Sequence, residues 1–208
     1  WGRAMHEFVE QLAKDERLRS LSFQNVKVVP FLGTPGAIQS DSWNTTTYSN
    51  TLATKVGNLL HCASYNLSAP MYVEGTKEKE LIESIDEIAK VLHMAETADI
   101  ALIGIGSMQD DSSIIKAEIR TKEEYKELVR KGAVGEIVGR IYDKNGQTVD
   151  EDLKRKMVGI SLDKIAKIPV RVGMSYGKDK IEAIKGAIAG GLVNVLVTDV
   201  PTAELLLK

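Results

Sequence analysis

Gly104, Gly106 and Ser107 close a nearly unbroken apolar run, Ile100 to Ile105, and are followed at once by Gln109, Asp110 and Asp111. A strand buried on both faces whose carboxyl end meets solvent places backbone N–H groups, a hydroxyl and helix starts around a crevice where small ligands collect. A second apolar run, Val26 to Leu32, ends in Gly33-Thr34-Pro35-Gly36. Thr34 offers that crevice a hydroxyl, while Pro35 takes one N–H donor away from the turn. Gly2-Arg3-Ala4 leads into a helical pattern, and amides at a helix start attract an anion by about 0.3–1 kcal/mol per charge, to which Arg3 adds a bidentate contact.

Two charged side chains complete the set. Glu136 stands between Gly135 and the apolar pair Ile137-Val138, where a strand interior normally excludes charge, and its carboxylate accepts hydrogen bonds from ligand hydroxyls. Lys180 heads a helical segment and carries three donors suited to a phosphate or hydroxyl oxygen. The register Lys180-x-x-Ala183-Ile184 favours it over Lys178 and Lys185. These are binding groups, and no catalytic residue is assigned. His6, His61 and His93 are scattered without metal-ligand spacing, so neither a metal nor a cofactor is expected.

Composition narrows the setting. The chain has 208 residues, 43% hydrophobic and 27% charged, with a formal charge of −2, which gives no general attraction to nucleic acid. Cys62 has no partner cysteine, which points to a reduced cytoplasm. The longest largely apolar stretch, Gly186 to Val197, falls well short of the roughly 20 residues of a membrane helix, so no membrane contact is expected.

The elements that must position these groups follow from periodicity. Trp1 to Arg19 reads as an amphipathic helix, and Lys77 to Ala95 as a long one with Leu81, Ile82, Ile85, Ile88 and Leu92 on one stripe. Thr121-Lys-Glu-Glu124 is a capping box that starts a helix ending at Gly132. Gly135 to Asp143 alternates as a strand, and Asn145-Gly146 is predicted to close a type I′ hairpin, an insertion around residues 135–150. Val170 to Met174 and Val193 to Val197 read as core strands flanking a helix from Lys178 to Ala189, with a last helix from Pro201. The alternation predicts an α/β fold with a mainly parallel sheet and helices on both faces, as one domain over residues 1–208.

Three segments in order, Trp1-Gly2-Arg3, Gly132 through Gly146, and Lys180 through Asp199 to Thr202-Ala203, resemble the effector-binding domain of SorC-type bacterial transcriptional regulators. The resemblance implies a Rossmann-like fold similar to ribose-5-phosphate isomerase and glucosamine-6-phosphate deaminase, and a sugar or sugar-phosphate effector. It implies that Glu136 and Lys180 touch that effector, that the Gly33 loop lines the site, and that Trp43 and Asn44 lie near it. Many members carry a threonine where Ala4 stands, and Pro35 breaks the family's usual glycine pair. The resemblance further implies a homo-oligomer, dimer or tetramer, and DNA contact only through an N-terminal helix-turn-helix domain absent from this chain. The first strand of the sensing domain is expected to be missing as well. The alternative is a sugar-phosphate isomerase or deaminase. The deaminase pattern has a histidine soon after the Gly-x-Gly strand end, where this chain reads Ser107-Met-Gln-Asp-Asp111, so a sensor is expected and not an enzyme.

Overall fold

The computed structural model describes residues 1–35 and 45–208. Gly36, Trp43 and Asn44 lie outside the described residues. The chain forms two compact units, Trp1–Thr97 with Val158–Ile160, and Ala98–Met157 with Ser161–Lys208.

In the first unit, α1 (Arg3–Leu12) and α2 (Ser49–Leu59) turn Met5, Val9, Leu52, Ala53 and Val56 inward and pack on each other. The expected strand Val26 to Leu32 shrinks to β1 (Lys27–Val28), which pairs in parallel with β2 (Ala63–Ser64). Pro30 has no N–H to give a ladder. Beyond it the chain joins a mesh of single bridges: Gly33 donates to the Val158 carbonyl at 3.2 Å, Thr34 to Ala69 at 2.9 Å, Met71 to Thr34 at 2.8 Å and Ile160 to Phe31 at 2.9 Å. A β-carbon at Gly33 would sit 2.6 Å from the Ala69 oxygen, so only glycine allows this crossing.

The expected long helix is two. α3 (Thr76–Glu83) stops where the Ser84 hydroxyl bonds back to the Leu81 carbonyl, and Ile85 is extended before α4 (Asp86–Glu96) begins on Asp86 and Glu87. A serine that satisfies a carbonyl locally, followed by acids that favour a new N-terminus, outcompetes a continuous stripe. Ile82, Val91 and Leu92 from these helices cover a buried cluster of Leu67, Ala69, Val73, Ile88 and Val158.

The second unit is built on a five-stranded sheet. Its strands are β3 (Ile100–Ser107), β4 (Ala133–Ile137), β5 (Arg140–Asp143), β6 (Val170–Met174) and β7 (Val195–Val197), in the order β5-β4-β3-β6-β7. β3 pairs in parallel with β6, and β6 with β7; β4 runs antiparallel to β3 and to β5. The sheet is therefore mixed, not mainly parallel. Its connections are α5 (Ser113–Lys116), α6 (Lys122–Arg130), α7 (Glu151–Lys156), α8 (Leu162–Ile165), α9 (Ile181–Ala189) and α10 (Val200–Leu206). The capping box of α6 forms with both of its hydrogen bonds.

The run expected as one strand from Gly135 to Asp143 folds back on itself. Val138 and Gly139, at φ of +51° and +68°, make the two-residue turn between β4 and β5. Twist-matched hairpin turns need left-handed residues at both positions, and here a β-branched valine takes one of them. Asn145-Gly146 also turns the chain, but as a looser return. Asp143 bonds to Gln147 and Gly146 to Asp143, with Gly146 alone of the pair at positive φ.

α9 lies on β3 and β4 through a stripe of small residues. A bulge at Val134 brings Val134 and Gly135 both toward it. A β-carbon on Gly135 would collide with the Tyr142 hydroxyl and lie 2.8 Å from Ala183 Cβ, and one on Gly186 would lie 2.8 Å from the Asp143 oxygen. The fully buried Tyr142 donates its hydroxyl to the Ala183 carbonyl at 2.9 Å. On the opposite face of the parallel half, Ile100, Leu102, Val170, Val195 and Val197 remain exposed, so the expected cover of helices is incomplete there. α7 is tied in by Arg120, whose guanidinium donates to both Asp150 oxygens, at 2.9 and 3.1 Å, and to Asp152 at 2.9 Å. Asp150 also caps α7 through the Leu153 amide.

Gly135→Ala is expected to destabilise the protein by about 1–3 kcal/mol through overpacking, read as a lower urea midpoint at unchanged slope. Arg120→Ala leaves Asp150, a buried carboxylate, without its cation and is expected to cost about 3–5 kcal/mol; a loss below about 1 kcal/mol in the same titration would mean that the pair does not anchor α7.

Candidate functional site

The carboxyl end of β3 is where the second unit gathers its chemistry. Gly106 stands opposite Glu136 and Ser107 opposite Gly135, on the last two rungs of the β3–β4 ladder. Because neighbouring residues of a strand alternate, these rungs point their side chains to opposite faces. On the Gly135 face, toward α9, sits Ser107. On the other face the Glu136 carboxylate lies over Gly106, where a β-carbon would be 3.8 Å from Oε2.

The Ser107 side is a closed polar triangle. Lys180 Nζ donates to Ser107 Oγ at 2.8 Å and lies 3.1 Å from Asp179 Oδ2, while Ser107 donates to the same Oδ2 at 3.0 Å. Both charged residues come from the 3₁₀ turn Lys178–Lys180, which follows Gly177 at φ +109° and runs directly into α9. The turn is pinned from outside, since the Gly177 amide donates to Thr202 Oγ1 at 2.8 Å and Thr202 is itself capped by Asp199. Burial pushes the Asp179 carboxyl up, but the hydrogen bond and charge of Lys180 and the hydroxyl of Ser107 outweigh it and hold its pKa below the ordinary value.

On the Glu136 side, Ser112 caps α5 by accepting the Ile114 amide at 3.1 Å and turns its hydroxyl to Glu136 Oε2 at 3.3 Å. Tyr125 lies beside Ser112, and burial, with the Glu136 charge added, pushes its pKa up, as it does for Tyr142. Glu136, only 6% exposed, accepts this hydroxyl from within the fold. Gly104, expected at the tip, falls inside the strand, its main chain in the ladder opposite Met174.

In the first unit the expected donors are differently employed. The amides of Gly33 and Thr34 are spent on Val158 and Ala69, so they are not the bare donors anticipated for that loop. Thr34 Oγ1 accepts from Asn50 Nδ2 at 2.9 Å, and Asn50 also bonds both the amide and the carbonyl of Leu67. Thr34 and Asn50 edge an open cleft of about 680 Å³ whose other walls are Thr51, Thr54, Asn58, Asn66 and Ser68, with Lys55 held by Glu10. Gly2 takes φ +93° and gives its own amide to Thr47, and no side chain caps α1, so Arg3 stands exposed at an uncapped helix start. No group of three or more His, Cys, Asp or Glu suited to a metal occurs among the described residues.

Sequence reasoning thus named Ser107, Glu136 and Lys180, which meet at one strand end, and missed Asp179, Ser112 and Asn50. Asp179 sits in a run of alternating charge that reads as a solvated helix start, and only the turn before α9 folds it back on Lys180. Ser112 was legible as a cap, a serine two residues before the apolar pair Ile114-Ile115.

The end of β3 thus gathers a hydroxyl, an ammonium and two carboxylates on the two faces of the sheet. The family model Sugar-bind, "Putative sugar-binding domain", matches residues 1–208. Among curated proteins the chain is similar to the transcriptional regulator LsrR of Escherichia coli (strain K12), 34% identical over 159 residues, covering 74% of this chain and 50% of that protein. LsrR of Enterobacter sp. (strain 638) is 33% identical over 149 residues, covering 70% of this chain and 46% of that one. The chain spans about half the length of these curated relatives. Among solved structures, the full-length sorbitol operon regulator SorC of Klebsiella pneumoniae superposes on all of this chain and 65% of its own with a TM-score of 0.86 at 29% identity. A DeoR family transcriptional regulator from Listeria monocytogenes covers 99% of this chain and 76% of its own with a TM-score of 0.84 at 25% identity. With the match running the full length of a chain that folds as they do, this protein belongs to the sugar-binding domain family of SorC-type transcriptional regulators.

Proposed function

We propose that this chain is the effector-sensing part of a bacterial transcriptional regulator. It holds a sugar or phosphorylated sugar at the carboxyl ends of β3 and β6 without transforming it, and signals to a helix-turn-helix domain outside these residues. The observation that carries the reading is the family match over residues 1–208. The chemistry at the end of β3 supports it. Ser107 and Lys180 offer donors on one face, and Glu136 offers an acceptor on the other, the complement that hydroxyl-rich ligands need. Arg3 at the uncapped start of α1 offers separate anion chemistry within the first unit.

Binding alters DNA contact only if the ligand prefers one of two arrangements of the regulator, and a nearly complete switch needs about 5.5 kcal/mol of preference. Two-fold pairing of subunits, as a dimer or tetramer in the cytoplasm, supplies two such arrangements and matches symmetric half-sites. The three parallel strands β3, β6 and β7, with α9 as the connection from β6 to β7, support a Rossmann-like reading of this half of the sheet, and ligands of such sheets lie at strand carboxyl ends. The isomerase or deaminase alternative is not favoured, because the relatives are regulators and Ser107 to Asp111 holds no histidine to act as a base.

The wild-type protein is expected to melt at a higher temperature with at least one member of a panel of glycolytic and pentose phosphates and their parent sugars, and to turn over neither ribose 5-phosphate nor glucosamine 6-phosphate. Glu136→Gln and Lys180→Ala are each expected to weaken that binding about tenfold or more with the fold intact. Turnover, or unchanged affinity in both variants, would overturn the reading.

A further inference from the structure

Asp179 is the one member of the β3-end cluster that neither composition nor motif singled out, and its position has a direct chemical meaning. The donors of Ser107 and Lys180 converge on a single oxygen, Asp179 Oδ2, at 3.0 and 3.1 Å. That is the place an anionic ligand oxygen would take between an ammonium and a hydroxyl. The carboxylate there belongs to a turn fixed by Gly177 and Thr202, which sets its place. Ser107 is buried and the Lys180 side chain only 20% exposed, whereas the Asp179 side chain is 48% exposed, so Asp179 forms the open side of the triangle that a ligand meets first. With its acid held below the ordinary range, the pair is formally neutral near pH 7.

We propose that Asp179 is a specificity-determining residue that makes this cluster accept an uncharged hydroxyl in preference to a phosphate group, because its carboxylate occupies the anion position between Ser107 and Lys180. A hydroxyl both donates and accepts, so it takes a remaining ammonium N–H while giving its proton to the carboxylate. A phosphate brings about one to two negative charges to the place the carboxylate already fills, and must expel Asp179 or lie against its charge. The inference rests on the reading of the β3 end as the ligand site, and it assigns the sugar's hydroxyl end, not a phosphate, to Lys180.

The test uses inorganic phosphate as the probe, so its outcome does not depend on which sugar is sensed. Phosphate affinity is measured by calorimetry for wild type, Asp179→Asn, Asp179→Ala and Asp179→Asn/Lys180→Met, with folding verified by circular dichroism. The single variants are expected to bind phosphate about tenfold or more tightly than wild type, and the double variant to lose that gain. Phosphate binding that is equal in wild type and both single variants, or a gain that survives removal of the Lys180 amine, overturns the proposal. Failure of the sensing reading shows elsewhere, as a sugar panel that leaves the melting temperature unmoved.

Discussion

The rest of the second unit depends on how closely α9 approaches the hairpin strand β4. Gly135 leaves the space that the Tyr142 hydroxyl needs to reach the Ala183 carbonyl, and that single buried hydrogen bond joins sheet and helix where no larger residue fits. The interior allows no compensating slack, since side chains at this density have no empty volume to move into. With α9 set by this contact, the turn before it is set too, and Lys180 and Asp179 are delivered to Ser107. The geometry of the polar cluster is thus inherited from a close contact one helical turn away.

What results is a set of mutually satisfied polar groups. Ser107 accepts a hydrogen bond from the ammonium and donates its own to a carboxylate, so its hydroxyl is engaged on both sides. Across the sheet, Glu136 accepts the Ser112 hydroxyl, and its charge adds to the burial that pushes the Tyr125 pKa up.

Much of this was legible in the residues. The strand from Ile100 to Ile105, which the structure extends to Ser107, the capping box of α6 and the core strand Val170 to Met174 follow from periodicity and capping chemistry. Ser107 and Lys180 come together on one face of the sheet, while Glu136 lies on the other. What was not legible depended on tertiary contacts. A first hairpin closes at Val138-Gly139, where no turn dipeptide announces it, while Asn145-Gly146 closes a second antiparallel return in which Tyr142 faces Thr148. The Gly33 amides are consumed by Val158, more than a hundred residues along the chain, a distance across which no local pattern speaks. The mixed character of the sheet follows from that same hairpin, which adds two antiparallel pairings beside two parallel ones.

The glycines and alanine that line the seam between α9 and the hairpin carry a consequence for how such a domain tolerates change. Gly135, Ala183, Gly186 and Gly190 bear no polar group, yet each sets the height at which the helix rides over the strands. A change at the polar tip acts locally, whereas one added methyl in the seam shifts the helix that carries amine and acid together. The polar cluster is therefore most vulnerable at positions that carry no polar side chain.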